Sequence, residues 1–121
     1  MGDEKCVIAV REAIKKALEV ALDEVRKSVC KEEDFEKAIL EVLGKFLGVE
    51  ANPTKCELIL EKPVTESVCR DFYEQRRWVM CRAHRLMKEW IKEGKIADLG
   101  EALDIAWDEL KKKCAEAGYA I

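Results

Sequence analysis

Six cysteines and one histidine are the side chains of this 121-residue sequence best suited to hold a metal, form cross-links or move a proton. The cysteines stand at Cys6, Cys30, Cys56, Cys69, Cys81 and Cys114. Structural zinc sites draw on close ligand pairs such as C-x2–4-C. The gaps here are 24, 26, 13, 12 and 33 residues, and His84 is the only histidine, so no metal is expected. Disulfides and buried thiols are what remain. Composition favours disulfides: Asn52 and Gln75 are the only amides, against 22 Lys+Arg and 25 Asp+Glu. Charge enrichment with few thermolabile amides is a hyperthermophile pattern, and hyperthermophiles are the exception to the scarcity of cytosolic disulfides. At least one disulfide between helices is expected, with connectivity open among 15 pairings. Cys69 and Cys81, if they share one helix, lie about 18 Å apart by the helix rise, beyond the roughly 7 Å Cα limit for a bridge. Cys6 and Cys30, at opposite ends of an expected first helix, are excluded on the same ground.

The second chemical signal is a concentration of positive charge. The whole chain carries −3, but residues 70–95 carry +4 between flanks of −4 and −3. Residues 76–88 contain no acid. At 100° per residue, Arg70, Arg77, His84, Arg85, Lys88 and Lys92 fall on one arc, interrupted by Glu74, with Cys81 within it and Trp78 beside it. Cations on one face could bind phosphates, and an aromatic ring there could stack on a base. A Trp and a Cys are unusual on a solvated face. They imply a cover: a nucleic acid, a second subunit or the chain's own connecting segment.

These residues need helices to position them. Val7, Val10, Ile14, Leu18, Leu22, Val25 and Val29 recur at helical steps and predict one helix over residues 4–29. A second is expected over 32–47, burying Phe35, Ile39, Val42, Leu43 and Phe46 and stopped by Gly48. Asn52 as cap and Pro53 at the first position start a short helix over 53–61; the alternation of Cys56, Leu58 and Leu60 would also suit a strand, but a lone strand has no partner here. Thr65 or Ser67 can cap a long fourth helix over 66–93, with Val68, Phe72, Val79, Ala83, Leu86, Met87 and Trp90 on its core face. Asp98 and Glu101 form a capping box for a last helix to about residue 117, with Leu103, Trp107, Leu110 and Cys114 inward. The expected fold is all-α: one compact, disulfide-stapled bundle of four to five helices forming a single domain over residues 1–121. No apolar run is long enough to span a membrane, and the acidic start does not read as a signal peptide. A cytoplasmic protein, of a host cell if virus-encoded, is expected.

Arg77-Trp-Val-Met-Cys-Arg-Ala-His84 resembles the Arg-x6-His motif of HEPN ribonucleases. That resemblance implies a helical bundle in which Arg77 and His84 would cleave RNA, usually across a dimer. The stretch Glu101–Lys111 is similar to Ala-Leu…Ala-Trp…Lys helices of small phage and plasmid proteins, which implies a mobile-element origin. No other catalytic constellation and no cofactor motif is present. The residues themselves favour a non-enzymatic accessory or regulatory protein, dimeric through its fourth helix. Arg70, Arg77, Arg85, Lys88 and Lys92 would meet the phosphates of DNA or RNA, with Trp78 at the contact. The alternative is a helical adaptor or structural oligomer using the same face.

Overall fold

A computed structural model describes residues 4–16, 19–95 and 97–119. Among the described residues the helical periodicity of the sequence emerges as seven α-helices: α1 (Glu4–Lys16), α2 (Glu19–Ser28), α3 (Glu32–Leu47), α4 (Pro53–Glu61), α5 (Glu66–Arg70), α6 (Phe72–Lys92) and α7 (Leu99–Glu116). The described residues include no strand. The fold is all-α and disulfide-stapled, and two of the expected helices are each divided in two.

The first division overturns the exclusion of Cys6–Cys30. A straight helix over 4–29 would hold these residues about 36 Å apart. Instead α2 packs back on α1, and Cys6 bonds to Cys30 with their Cα atoms 5.2 Å apart. Val29 consequently lies exposed beyond the end of α2 rather than on a buried stripe. Leu18, expected in the core, lies outside the described residues.

The second division falls at Asp71, whose backbone is extended (φ −90°, ψ 120°). In a continuous helix the Tyr73 N–H would donate to the Cys69 carbonyl. Here the Asp71 carboxylate accepts from Tyr73 N at 2.8 Å. The freed Cys69 carbonyl accepts from Gln75 Nε2 at 2.6 Å. Both backbone groups stay paired, and for the buried Cys69 carbonyl burial demands it. Other ends follow the caps read from sequence: Asn52, Thr65 and Asp98 each accept from a backbone N–H three residues on. Gly48, Gly94 and Gly118 follow helices at positive φ.

α6 is the central element. It packs against α3, α4, α5 and α7, while α1 joins the body through α3. Met80 and Met87 of α6 join Ile39, Leu40 and Leu43 of α3 and Leu110 of α7 as the largest fully enclosed side chains of the core. The other two disulfides, Cys56–Cys81 and Cys69–Cys114, tie α4 to α6 and α5 to α7. Arg82 on α6 adds a two-pronged ion pair to Glu109 on α7, at 2.6 and 3.2 Å. The hydrogen bond to Glu109 holds the Arg82 guanidinium above its ordinary pKa despite partial burial. α3 and α6 run antiparallel, since Arg76 near the start of α6 donates to the Leu47 carbonyl and His84 meets the Glu36 carbonyl.

Two expected core residues are not in the core. Phe46 is 67% exposed and Phe72 is 66% exposed. Each continues a buried stripe, Phe46 that of Ile39 and Leu43, Phe72 that of Gln75 and Val79. Periodicity identifies the stripe but not where the neighbouring helices end. Ile14, Trp90, Leu103 and Trp107 are half-buried against the core, while Leu22, Val79 and Leu86 lie within it.

Candidate functional site

The arc of α6 that carries the positive charge is divided among its neighbours. Arg70 belongs to α5, is exposed and pairs with Glu66 at 3.0 Å. Arg77 is half-buried and is held by Glu74 one turn back. Its Nε is buried without a hydrogen-bond partner. Trp78 is only 3% exposed. It lies one turn before Cys81 and Arg82, between the flank of α6 tied to α4 and the flank tied to α7. Its cover is therefore the chain itself, and its ring has no open face on which to stack a base. Arg85, Lys88 and Lys92 stay together and line one groove of about 210 Å³ beside α3. That groove also carries Glu32, Glu36 and Glu89, and Lys88 Nζ stands 3.8 Å from the Glu36 carboxylate.

His84 faces α3. It is 7% exposed, and its Nε2 lies 2.8 Å from the Glu36 carbonyl oxygen. A carbonyl only accepts, so Nε2 carries the proton of the neutral ring and Nδ1 is the bare nitrogen. Burial pushes the pKa down to about 4, and the charge of Lys88 adds to this, while the bond to the Glu36 carbonyl opposes both. The ring is neutral at pH 7. A general acid works best with a pKa near the operating pH, and this imidazolium is scarcely populated there. Arg77 stands two helical turns away, about 10 Å along the axis, with its guanidinium engaged by Glu74.

A second groove, of about 460 Å³, opens between α3, α4 and α6. Cys56, Cys81 and His84 line it together with Lys37, Arg85 and Lys88, and Glu33, Glu36 and Glu57 face the same space. A third, of only about 10 Å³, reaches Cys56 and Cys81 from the side of Tyr73 and Arg77. Among the described residues no three His, Cys, Asp or Glu side chains converge where a metal could sit.

A different surface lies at the opposite end of α6, and charge patterning gave no hint of it. Where the C-terminus of α3 meets the N-terminus of α6, Phe46 and Phe72 stand two-thirds exposed. The Arg76 guanidinium lies 4.8 Å from the centroid of Phe72 and 5.8 Å from that of Tyr73. Its Nη1 is pinned by the Leu47 carbonyl at 2.9 Å. Lys45, Glu50 and Asp71 lie next to these residues along the chain and are exposed. Arg76 was outside every sequence-based site. The available signal was its spacing, three and four residues after two aromatics on one helix.

No helix among the described residues is long and apolar enough to cross a membrane. No family model, curated protein or solved structure matches the chain.

Proposed function

We propose that this protein is a non-enzymatic, self-associating interaction module whose contact surface is the aromatic end of the α3–α6 pair. The observation that carries this reading is the exposure of Phe46 and Phe72, at the ends of stripes that elsewhere form the core. Large apolar side chains gathered on one surface mark interaction sites. Aromatic residues with an arginine stacked on them have the composition of interface hot spots. The occupant that suits the patch is a second copy of the chain. Both signs of charge adjoin the rings along the chain, with Lys45 and Glu50 exposed around Phe46 and Asp71 exposed beside Phe72. A two-fold contact can therefore pair each cation with the partner's acid. Full burial of one Phe ring is worth about 1.5–3 kcal/mol. Each ring is already about one-third buried, so four rings in a two-fold contact add about 4–8 kcal/mol, against an association cost of about 4–15 kcal/mol that pairing of charges at the rim also helps to meet.

Sedimentation equilibrium across a range of protein concentrations tests this. The wild type is expected to dimerise reversibly. The Phe46→Ser/Phe72→Ser variant is expected to stay monomeric with an unchanged helical circular dichroism spectrum. A wild type that remains monomeric throughout, or a variant that dimerises equally, refutes the reading.

A second reading keeps nucleic acid as the partner, supported by the alignment of Arg85, Lys88 and Lys92 along one groove. Three neutralised phosphates imply a log–log salt slope near about −2.7 on duplex DNA. Fluorescence anisotropy with duplex DNA, single-stranded DNA and RNA at two salt concentrations tests it. Binding that is absent at low salt, or unchanged in Arg85→Ala/Lys88→Ala, removes this reading.

A further inference from the structure

The three disulfides sit in different surroundings. Cys6–Cys30 and Cys69–Cys114 line none of the three grooves; Cys6, Cys69 and Cys114 are at most 1% exposed, and Cys30 is 8% exposed outside any of them. Cys56 and Cys81 line two grooves, on either side of their bond. The larger, about 460 Å³, has room for the end of a small thiol. Cys56 is the more exposed of the pair, 6% against 1% for Cys81.

Cations line the larger groove beside this bond. Arg85 and Lys88 follow Cys81 by one and two turns on the same flank of α6, and Lys37 faces the groove from α3. Acids face it as well, Glu33 and Glu36 from α3 and Glu57 from α4, with Glu36 near Lys88. Of the arginines nearest Cys81 on α6, Arg82 pairs with Glu109 and Arg77 with Glu74, while Arg85, one turn on, lines the larger groove and has Glu89 one turn beyond it. A cation beside a cysteine stabilises its thiolate. A better thiolate leaves a disulfide faster and makes the disulfide easier to reduce.

We infer that Cys56–Cys81 is an exchangeable disulfide, the site at which an external dithiol undergoes thiol–disulfide exchange with this protein. A thiolate of the dithiol enters the larger groove and attacks Cys56 Sγ. The Cys56–Cys81 bond breaks, a mixed disulfide forms on Cys56, and Cys81 departs as a thiolate beside Arg85 and Lys88. The second thiol of the dithiol, deprotonated, then attacks the mixed disulfide at its own sulfur and expels the Cys56 thiolate. The dithiol leaves as a disulfide, two electrons poorer, and the two cysteine thiolates take up the two protons it released. α4, whose principal neighbour is α6, then loses its covalent tie.

The test equilibrates the intact oxidised protein in buffers of stepped reduced-to-oxidised dithiothreitol ratio, quenches with acid, alkylates the free thiols and maps them by mass spectrometry. Cys56 and Cys81 are expected to become labelled at a ratio about tenfold less reducing than the other four cysteines require. Simultaneous labelling of all six, or earlier labelling of either other pair, overturns the inference. A kinetic measurement separates it from mere looseness of α4. In Arg85→Gln/Lys88→Gln, with circular dichroism unchanged, the rate at which dithiothreitol opens Cys56–Cys81 is expected to fall about threefold, with the other two bonds unaffected. An unchanged rate at Cys56–Cys81 also overturns it.

Discussion

His84 shows how one buried side chain ties stability to pH. Its folded pKa of about 4 lies below the ordinary 6.5 because burial disfavours the imidazolium. The unfolded chain therefore binds more protons at this site between those two values, and stability falls as the pH drops through them. The full difference corresponds to about 3 kcal/mol, present above pH 6.5 and gone below pH 4. A His84→Gln variant retains an N–H donor for the Glu36 carbonyl but has no titrating ring. With disulfides intact, urea unfolding at pH 7 and pH 4.5 is expected to show a smaller loss of stability in the variant. Equal losses in the two proteins would mean that His84 is not held neutral. Subtracting the variant removes the contribution of carboxylates, which titrate in both proteins.

Among the elements, the α5–α6 break rests on two side chains. Asp71 caps the new helix, and Gln75 satisfies the carbonyl that the break leaves behind. Loss of a cap costs about 1 kcal/mol, and a buried carbonyl without its partner costs about 1–3 kcal/mol. Asp71→Ala should lower the urea midpoint modestly, and Gln75→Leu should lower it at least as much. A Gln75→Leu protein with an unchanged midpoint would show that the Cys69 carbonyl finds another donor. The break is functional for the fold, because it turns α5 so that Cys69 reaches Cys114 on α7 while Cys81 reaches Cys56 on α4. The α1–α2 hairpin follows a similar logic, with Cys6–Cys30 fastening its open end.

At the scale of the whole molecule, covalent links carry a large share of the stability. The bridged residues are 24, 25 and 45 positions apart. In the chain-entropy model each closure contributes about 3.5–4 kcal/mol, against a usual total of about 5–15 kcal/mol for a domain. The loops closed by Cys56–Cys81 and Cys69–Cys114 overlap, so the contributions do not simply add. Thermal melts followed by circular dichroism, with and without complete reduction, should differ by tens of degrees. A fully reduced protein melting within about five degrees of the oxidised one would show that the apolar core suffices without them.

Helix content, caps and stops were legible in the residues, because Asn52-Pro53, Thr65, Asp98 and Gly48 act on backbone groups only a few positions away. The run of charge over residues 70–95 and the likelihood of disulfides were equally local or compositional facts. Only the tertiary structure decided which cysteines meet, since pairing depends on where helices reverse, and the reversal before α2 brought together the Cys6 and Cys30 that a continuous helix would have kept apart. It also decided that Trp78 and His84 are enclosed and that Phe46 and Phe72 are open. Helical periodicity assigns a residue to a face. Whether that face is covered depends on how far the neighbouring helices extend, and that is a property of the packed chain, not of the segment.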